Sequence, residues 1–133
     1  MNRHEIREEI FKIIFGVGFH DSEEMEKLVD NYLTDSCDSK LSGKDRTKIR
    51  EKALAISRML PELDAEINSV AEGWTTKRMG KAELNILRLA VYEIRHDESV
   101  PVKVAINEAV ELAKEYCSDD APAFINGILA HFA

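Results

Sequence analysis

The stretch 102–116, VKVAINEAVELAKEY, has apolar residues at the spacing of an amphipathic helix. Asn107 interrupts this pattern, and asparagine is a poor helix former because its side chain competes for backbone hydrogen bonds. A second asparagine, Asn126, precedes Gly127 inside another helical pattern, FINGIL at 124–129. These asparagines either bridge to a neighbouring helix or belong to a ligand-binding surface, and we expect Gly127 to permit close approach of another helix or backbone.

Helical periodicity recurs along the rest of the chain. Apolar residues follow it from Ile6 to Val17, Met25 to Leu33, Ile49 to Leu60, Leu63 to Val70, Leu84 to Ile94, and Phe124 to Phe132. The stretches 34–45 and 73–83 read as loops, and six glycines and three prolines leave little material for a turn-rich β architecture. The sequence therefore predicts an all-α protein of about seven helices.

Residues that start and end helices support this division. Gly18 ends the first helix, and Asp21 or Ser22 caps the second. Proline fits the first helical turn, so three prolines mark the starts of the fourth, sixth and seventh helices, namely Pro61, Pro101 and Pro122. Ser118 or Asp119 is the expected cap of the last helix.

Length and composition indicate one soluble domain. The 133 residues are 44% apolar and 32% charged, as in globular proteins. The start of the chain is charged throughout, and the apolar run at 10–19 contains a lysine and is too short for a membrane span. Cys37 and Cys117 are far apart and form no CxxC motif, so we expect reduced thiols and a cytoplasmic protein.

The charge pattern leaves two interpretations open. A net charge of −7 argues against strong unaided binding to nucleic acid, yet basic segments at 37–60 and 74–90 alternate with acidic ones. Such alternation suits a protein that meets both a cationic partner and a polyanion, and it equally suits plain solvation. Four scattered histidines and the lack of a phosphate-binding glycine loop predict no enzyme, no metal and no cofactor.

Several side chains could contact a ligand. Lys103 and Asn107 share one flank of a helix, where an ammonium can hold a phosphate and an amide can read a base edge. Phe124 is either core or a stacking surface for an unpaired base. We expect an ammonium, an amide and a ring, from Lys103, Asn107 and Phe124, to face the same patch of solvent. The row of Lys44, Lys48 and Lys52 is interpreted as solvated.

Three sequence blocks, ELNILRLAVYEI at 83–94, VPVKVAINEAVELAKEY at 100–116 and FINGIL at 124–129, resemble the C-terminal half of the bacterial NusB family. The resemblance runs from Trp74 to Leu129 and is weaker in the first seventy residues. It implies a single NusB-like RNA-binding domain of two small packed helical bundles, at about 1–73 and 74–133. It also implies a non-enzymatic role in transcription antitermination.

The resemblance implies partners and contact residues as well. The expected partners are boxA-type single-stranded RNA, the ribosomal protein NusE, and elongating RNA polymerase with other Nus factors. Six residues correspond to RNA contacts in the family: Arg3, Arg7, Lys103, Asn107, Asp120 and Phe124. Glu83 falls in the region that meets NusE, and Arg88 is expected to be structural, paired with a carboxylate such as Glu93 or Glu108.

Two departures from the family pattern remove positive charge from the expected RNA surface. Acidic residues separate Arg3 from Arg7, where relatives often carry a run of arginines, and Pro122-Ala123 replaces a histidine-lysine pair. We therefore expect weak RNA binding without the partner. The alternatives are a protein-interaction or ribosome-assembly factor with little RNA affinity, or a non-catalytic relative of the NusB-like domain found with some RNA methyltransferases.

Overall fold

The structure is a computed structural model, which describes residues 2–17, 22–35, 42–71 and 75–133. These residues form seven α-helices and two 3₁₀ turns, with no strand among them, and the all-α prediction is confirmed. The helices are α1 (Arg3–Val17), α2 (Ser22–Asp35), α3 (Gly43–Arg58), α4 (Leu60–Val70), α5 (Lys81–His96), α6 (Val102–Tyr116) and α7 (Ala121–Leu129). The expectations for Gly18, Asp21, Cys37 and Trp74 lie outside the described residues.

The first compact unit, Met1–Met59, contains α1, α2 and α3. Helix α3 packs against both other helices, and the core uses the periodic apolar positions of all three. The buried apolar side chains are Ile10, Phe11, Ile13, Ile14, Met25, Val29, Leu33, Ile49, Ala53, Leu54 and Ile56. The Ser42 hydroxyl accepts a hydrogen bond from the Asp45 backbone at 3.1 Å and so caps α3.

Helices α2 and α3 extend further into the stretch 34–45 than the sequence pattern predicts. Helix α2 continues to Asp35 and α3 already begins at Gly43, so parts of the stretch 34–45 are helical. Exposed ion pairs join these helices, with Arg50 to Asp30 at 2.7 Å and Arg58 to Glu26 at 3.0 Å. These pairs are solvent-accessible and contribute little to the free energy of unfolding.

The second compact unit, Leu60–Ala133, is organised around α5. Every side chain from Asn85 to Val91 is buried, because α5 packs against α4, α6 and α7. The resemblance to the NusB family predicts a boundary near residue 73, with α4 in the first subdomain. In the structure α4 belongs to the second unit, since its buried Leu63 and Ile67 pack with α5.

A buried ion pair fixes α4 to α5. The Arg88 guanidinium donates from Nε to Asp64 Oδ1 at 2.7 Å and from Nη2 to Asp64 Oδ2 at 2.8 Å. Its Nη1 donates to the side-chain oxygen of Asn85 at 3.1 Å. Arg88 is therefore structural, as expected, and Asp64 holds it in bidentate fashion, a carboxylate that differs from the expected Glu93 and Glu108.

The predicted helix starts are correct to within a few residues. Pro61 is the second residue of α4, Pro101 is the N-cap of α6, and Pro122 lies in the first turn of α7. The N-cap of α7 is Asp120 rather than Ser118 or Asp119, and its side chain makes no capping hydrogen bond. Among the described residues, no helix has the length and apolar character that crossing a membrane requires.

We predict that Asp64→Ala lowers the free energy of unfolding by about 3 kcal/mol, because it removes the two charge-assisted hydrogen bonds that Asp64 accepts from the buried Arg88 guanidinium. The matched control is Glu111→Ala, which removes an ion pair to Lys114 whose side chains are 55% and 58% exposed. That change should alter stability by no more than about 0.5 kcal/mol. Urea unfolding followed by circular dichroism measures both, and equal losses would contradict the structural role of the pair.

Candidate functional site

Lys103 and Asn107 lie on the exposed flank of α6. They are separated by about 6 Å along the helix axis, and both side chains are exposed. Neither side chain makes a hydrogen bond or an ion pair with any described residue. The interpretation of Asn107 as a bridge to a neighbouring helix is therefore wrong, and both polar groups are available to a ligand.

A groove of about 540 Å³ lies between α6 and α7 and brings the two asparagines together. Asn107 lines it from α6 and Asn126 from α7. The Asn126 side chain is also exposed and has no hydrogen-bond partner among the described residues. The rest of the lining comprises Val110, Glu111, Lys114, Pro122 and Ala123.

The groove contains its own ion pair. The Lys114 ammonium lies 3.2 Å from Glu111 Oε1, one helical turn beyond Asn107 on the same stripe of α6. Because the two charges offset each other, the residues that line the groove carry no net charge, and its two amides have no bonding partner among the described residues. This pairing is visible in the sequence as an i, i+3 spacing.

Phe124 lies in a different concavity from the asparagines. It is half-buried and lines a space of about 280 Å³, with Ala123 shared between this concavity and the groove. The other lining residues are Val70, Ala71, Gly127, Ile128 and His131. The expectation that Phe124 shares one patch with Lys103 and Asn107 is therefore corrected to two neighbouring concavities, one mainly apolar and one polar.

Gly127 has no packing role within the unit. It is exposed, and a Cβ atom placed on it would meet no atom of the described residues within 4 Å. The expectation that it permits close contact between helices of this chain is wrong. A glycine in a helix interior costs about 1 kcal/mol relative to alanine, and no internal contact at this position offsets that cost.

Asp120 and Arg3 are exposed and available, whereas Arg7 is not. Asp120 is the N-cap of α7, and its carboxylate has no partner among the described residues. Arg3 is exposed in the first turn of α1. Arg7 is only 6% exposed, because it shares a helical stripe with the buried Phe11 and Ile14. The expectation of a second exposed arginine on α1 is corrected accordingly.

Glu83 lies in the first turn of α5, where its carboxylate folds back against Gly80. It is half-buried. Burial, together with the negative charge of Glu83, raises the pKa of the Cys117 thiol to about 11. The sequence provides no signal for the proximity of Glu83 and Cys117, because it arises from the packing of α5 against α6.

Comparisons with known proteins agree on one family. A profile of the NusB family matches residues 4–133. The transcription antitermination protein NusB of Agathobacter rectalis is 48% identical over 136 residues, which cover 100% of both chains. That of Lachnoclostridium phytofermentans is 45% identical over 130 residues, covering 98% of this chain and 97% of the relative. The resemblance of the three sequence blocks is confirmed, and it extends over the first seventy residues as well.

Solved structures share the fold. NusB of T. maritima has a TM-score of 0.83 and 29% identity, covering 100% of this chain and 91% of that one. A chain in the crystal structure of a plectonemic RNA supercoil has a TM-score of 0.76 and 23% identity, covering 98% and 94%. The second likeness concerns the fold alone.

We predict that Gly127→Ala raises the free energy of unfolding by about 0.5 to 1 kcal/mol, since alanine is the better helix former and its methyl group meets no neighbour. Thermal unfolding measures this change. The control is Ala123→Gly on the same helix, which should lower stability by a similar amount. A destabilised Gly127→Ala variant would contradict the open surroundings of this glycine.

We predict that alkylation of Cys117 in the folded protein titrates with a midpoint near pH 11, because partial burial of the thiol and the charge of Glu83 disfavour the thiolate. The unfolded chain should titrate near pH 8.5. The pKa of the Cys117 thiol is higher in the folded than in the unfolded protein. The thiol therefore contributes stability that is complete below the unfolded-state pKa and is lost as pH rises through the folded-state pKa. Iodoacetamide rates in a Cys37→Ser background measure this, and a folded-state midpoint near 8.5 would refute it.

Proposed function

This chain belongs to the NusB family, and we propose that it is a transcription antitermination factor that binds boxA-type single-stranded RNA in a heterodimer with the ribosomal protein NusE. Its relatives at 48% and 45% identity over nearly the full chain are named transcription antitermination proteins. The observation that carries the RNA-binding part is the pair of exposed, unpartnered side chains on α6, Lys103 and Asn107.

The exposed flank of α6 has the chemistry that single-stranded RNA requires. The Lys103 ammonium can hold a phosphate, and the Asn107 amide can hydrogen-bond to a base edge, which is accessible once the base is unpaired. On α7, the free Asp120 carboxylate can accept hydrogen bonds from base amino groups or a 2′-hydroxyl. In this proposal the half-buried ring of Phe124 provides a stacking surface beside these groups.

A cationic partner is part of the proposal because the charge of this chain opposes RNA binding. The net charge is −7, and Arg7 is buried. A basic ribosomal protein would supply the missing phosphate contacts, and we assign the half-buried Glu83 to the contact with that protein. The complex would act non-enzymatically in the cytoplasm, on elongating RNA polymerase with other Nus factors.

A second candidate is a protein-interaction or ribosome-assembly factor with little RNA affinity of its own. The burial of Arg7 favours it, since one of the two arginines expected to clamp phosphates is withdrawn from the surface. The two candidates differ in one measurable property, which is whether this chain contributes contacts to RNA when the partner is present.

We predict that Lys103→Glu weakens binding of a labelled single-stranded RNA from a ribosomal RNA leader by at least tenfold, measured by fluorescence anisotropy with purified NusE present. The loss of a phosphate contact should also reduce the salt dependence of log K by about 0.7 or more. Lys48→Glu, the same charge reversal at an exposed site on α3, is the matched control and should change the affinity less than threefold.

Binding of NusE itself, followed by calorimetry, should be unchanged in Lys103→Glu. If the variant retains full RNA affinity, the flank of α6 is not an RNA surface and the second candidate gains support. If the isolated protein binds this RNA as tightly as its complex with NusE does, the dependence on a cationic partner is wrong.

A further inference from the structure

We propose that the groove between α6 and α7 holds a single nucleobase of the bound RNA, which is read by the side-chain amides of Asn107 and Asn126. This inference rests on the proposed function and deepens it, because it assigns the position that discriminates between RNA sequences. It also adds Asn126, which is not among the residues expected to contact RNA.

The two amides face the groove without competing partners. Both asparagines line it, both are exposed, and neither side chain is bonded to a described residue. Each amide offers two N–H donors and one carbonyl acceptor. Because they project from two helices that pack directly against each other, their spacing is set by the core beneath them. Ala105, Ala109 and Leu112 of α6 are buried there, together with Ile125 of α7.

The charge of the groove favours a base over a phosphate. Glu111 lies in the groove and would repel a phosphate, while Lys114, the cation beside it, is already paired with Glu111 at 3.2 Å. A base is planar and uncharged, and its flat faces can rest on the apolar surfaces of Val110, Pro122 and Ala123. The unpaired Lys103, one turn before Asn107, lies outside the groove lining and is left for the phosphate backbone.

Adenine is the base that best fits a pair of amides. A single asparagine can bind adenine in bidentate fashion through N6 and N7. The second amide is then free to bond the Watson–Crick edge of the same base, which is exposed only in a single strand. Two amides on opposite walls can thus engage two edges of one unpaired adenine, whereas a paired base presents only one.

The test is an abasic scan of the labelled leader RNA in the complex with NusE. Each nucleotide in turn is replaced by an abasic residue, and affinity is measured for the wild type and for Asn126→Ala. We expect one adenine position at which base removal costs the wild type about tenfold or more but costs Asn126→Ala less than twofold. Asn31→Ala, at an exposed and unbonded asparagine on α2, is the matched control and should reproduce the wild-type scan.

Other outcomes overturn the inference. Scans of the wild type and Asn126→Ala that differ by the same factor at every position would mean that Asn126 reads no base. Weakened capture of NusE by Asn126→Ala, with an unchanged RNA scan, would make the groove a protein-binding site. Lys103→Glu tests RNA binding separately. If that variant loses RNA affinity while Asn126→Ala has no effect, this inference is overturned and the proposed function is retained.

Discussion

The second unit depends on the bidentate pair between Arg88 and Asp64. A guanidinium that is 5% exposed is tolerated only when its donors are satisfied, and Asp64 and Asn85 accept them at 2.7 to 3.1 Å. The pair sets the position of α4 on α5. Since α5 is buried from Asn85 to Val91 and also contacts α6 and α7, the same arrangement supports the helices that line the groove.

Much of this architecture could be predicted from the sequence because it follows from local rules. Helical periodicity and the placement of Pro61 and Pro122 define the helices to within a few residues. The partner of Arg88 could not be predicted, since several carboxylates are equally plausible until α4 is placed. The assignment of α4 to the second unit likewise follows from its packing against α5, which leaves no signal in local sequence.

The candidate site also has features that the sequence predicts and features that depend on packing. Asn107 and Asn126 stand out in the sequence as polar residues inside apolar patterns, and in the structure neither side chain bonds to another described residue. Their meeting in one groove depends on the rotation of α6 and α7 about their axes, which no spacing within a single helix reveals. For Arg7 the sequence-based expectation is wrong. A charged residue near the start of the chain suggests exposure, but Arg7 lies on the same face of α1 as the buried Phe11 and Ile14.

Under the proposed function, these features separate the source of RNA affinity from the source of RNA specificity. Phosphate contacts supply affinity for any sequence, whereas base contacts supply discrimination. This chain has a net charge of −7 and a buried Arg7, so it is poorly equipped for the first task. Its free amides, in a groove whose own charges cancel, suit the second. A cationic partner would then raise affinity for all RNAs alike, while the groove would choose among them. The exposed Gly127 weakens its helix, and no contact with the described residues offsets that cost, which is consistent with a surface shaped for a ligand rather than for stability.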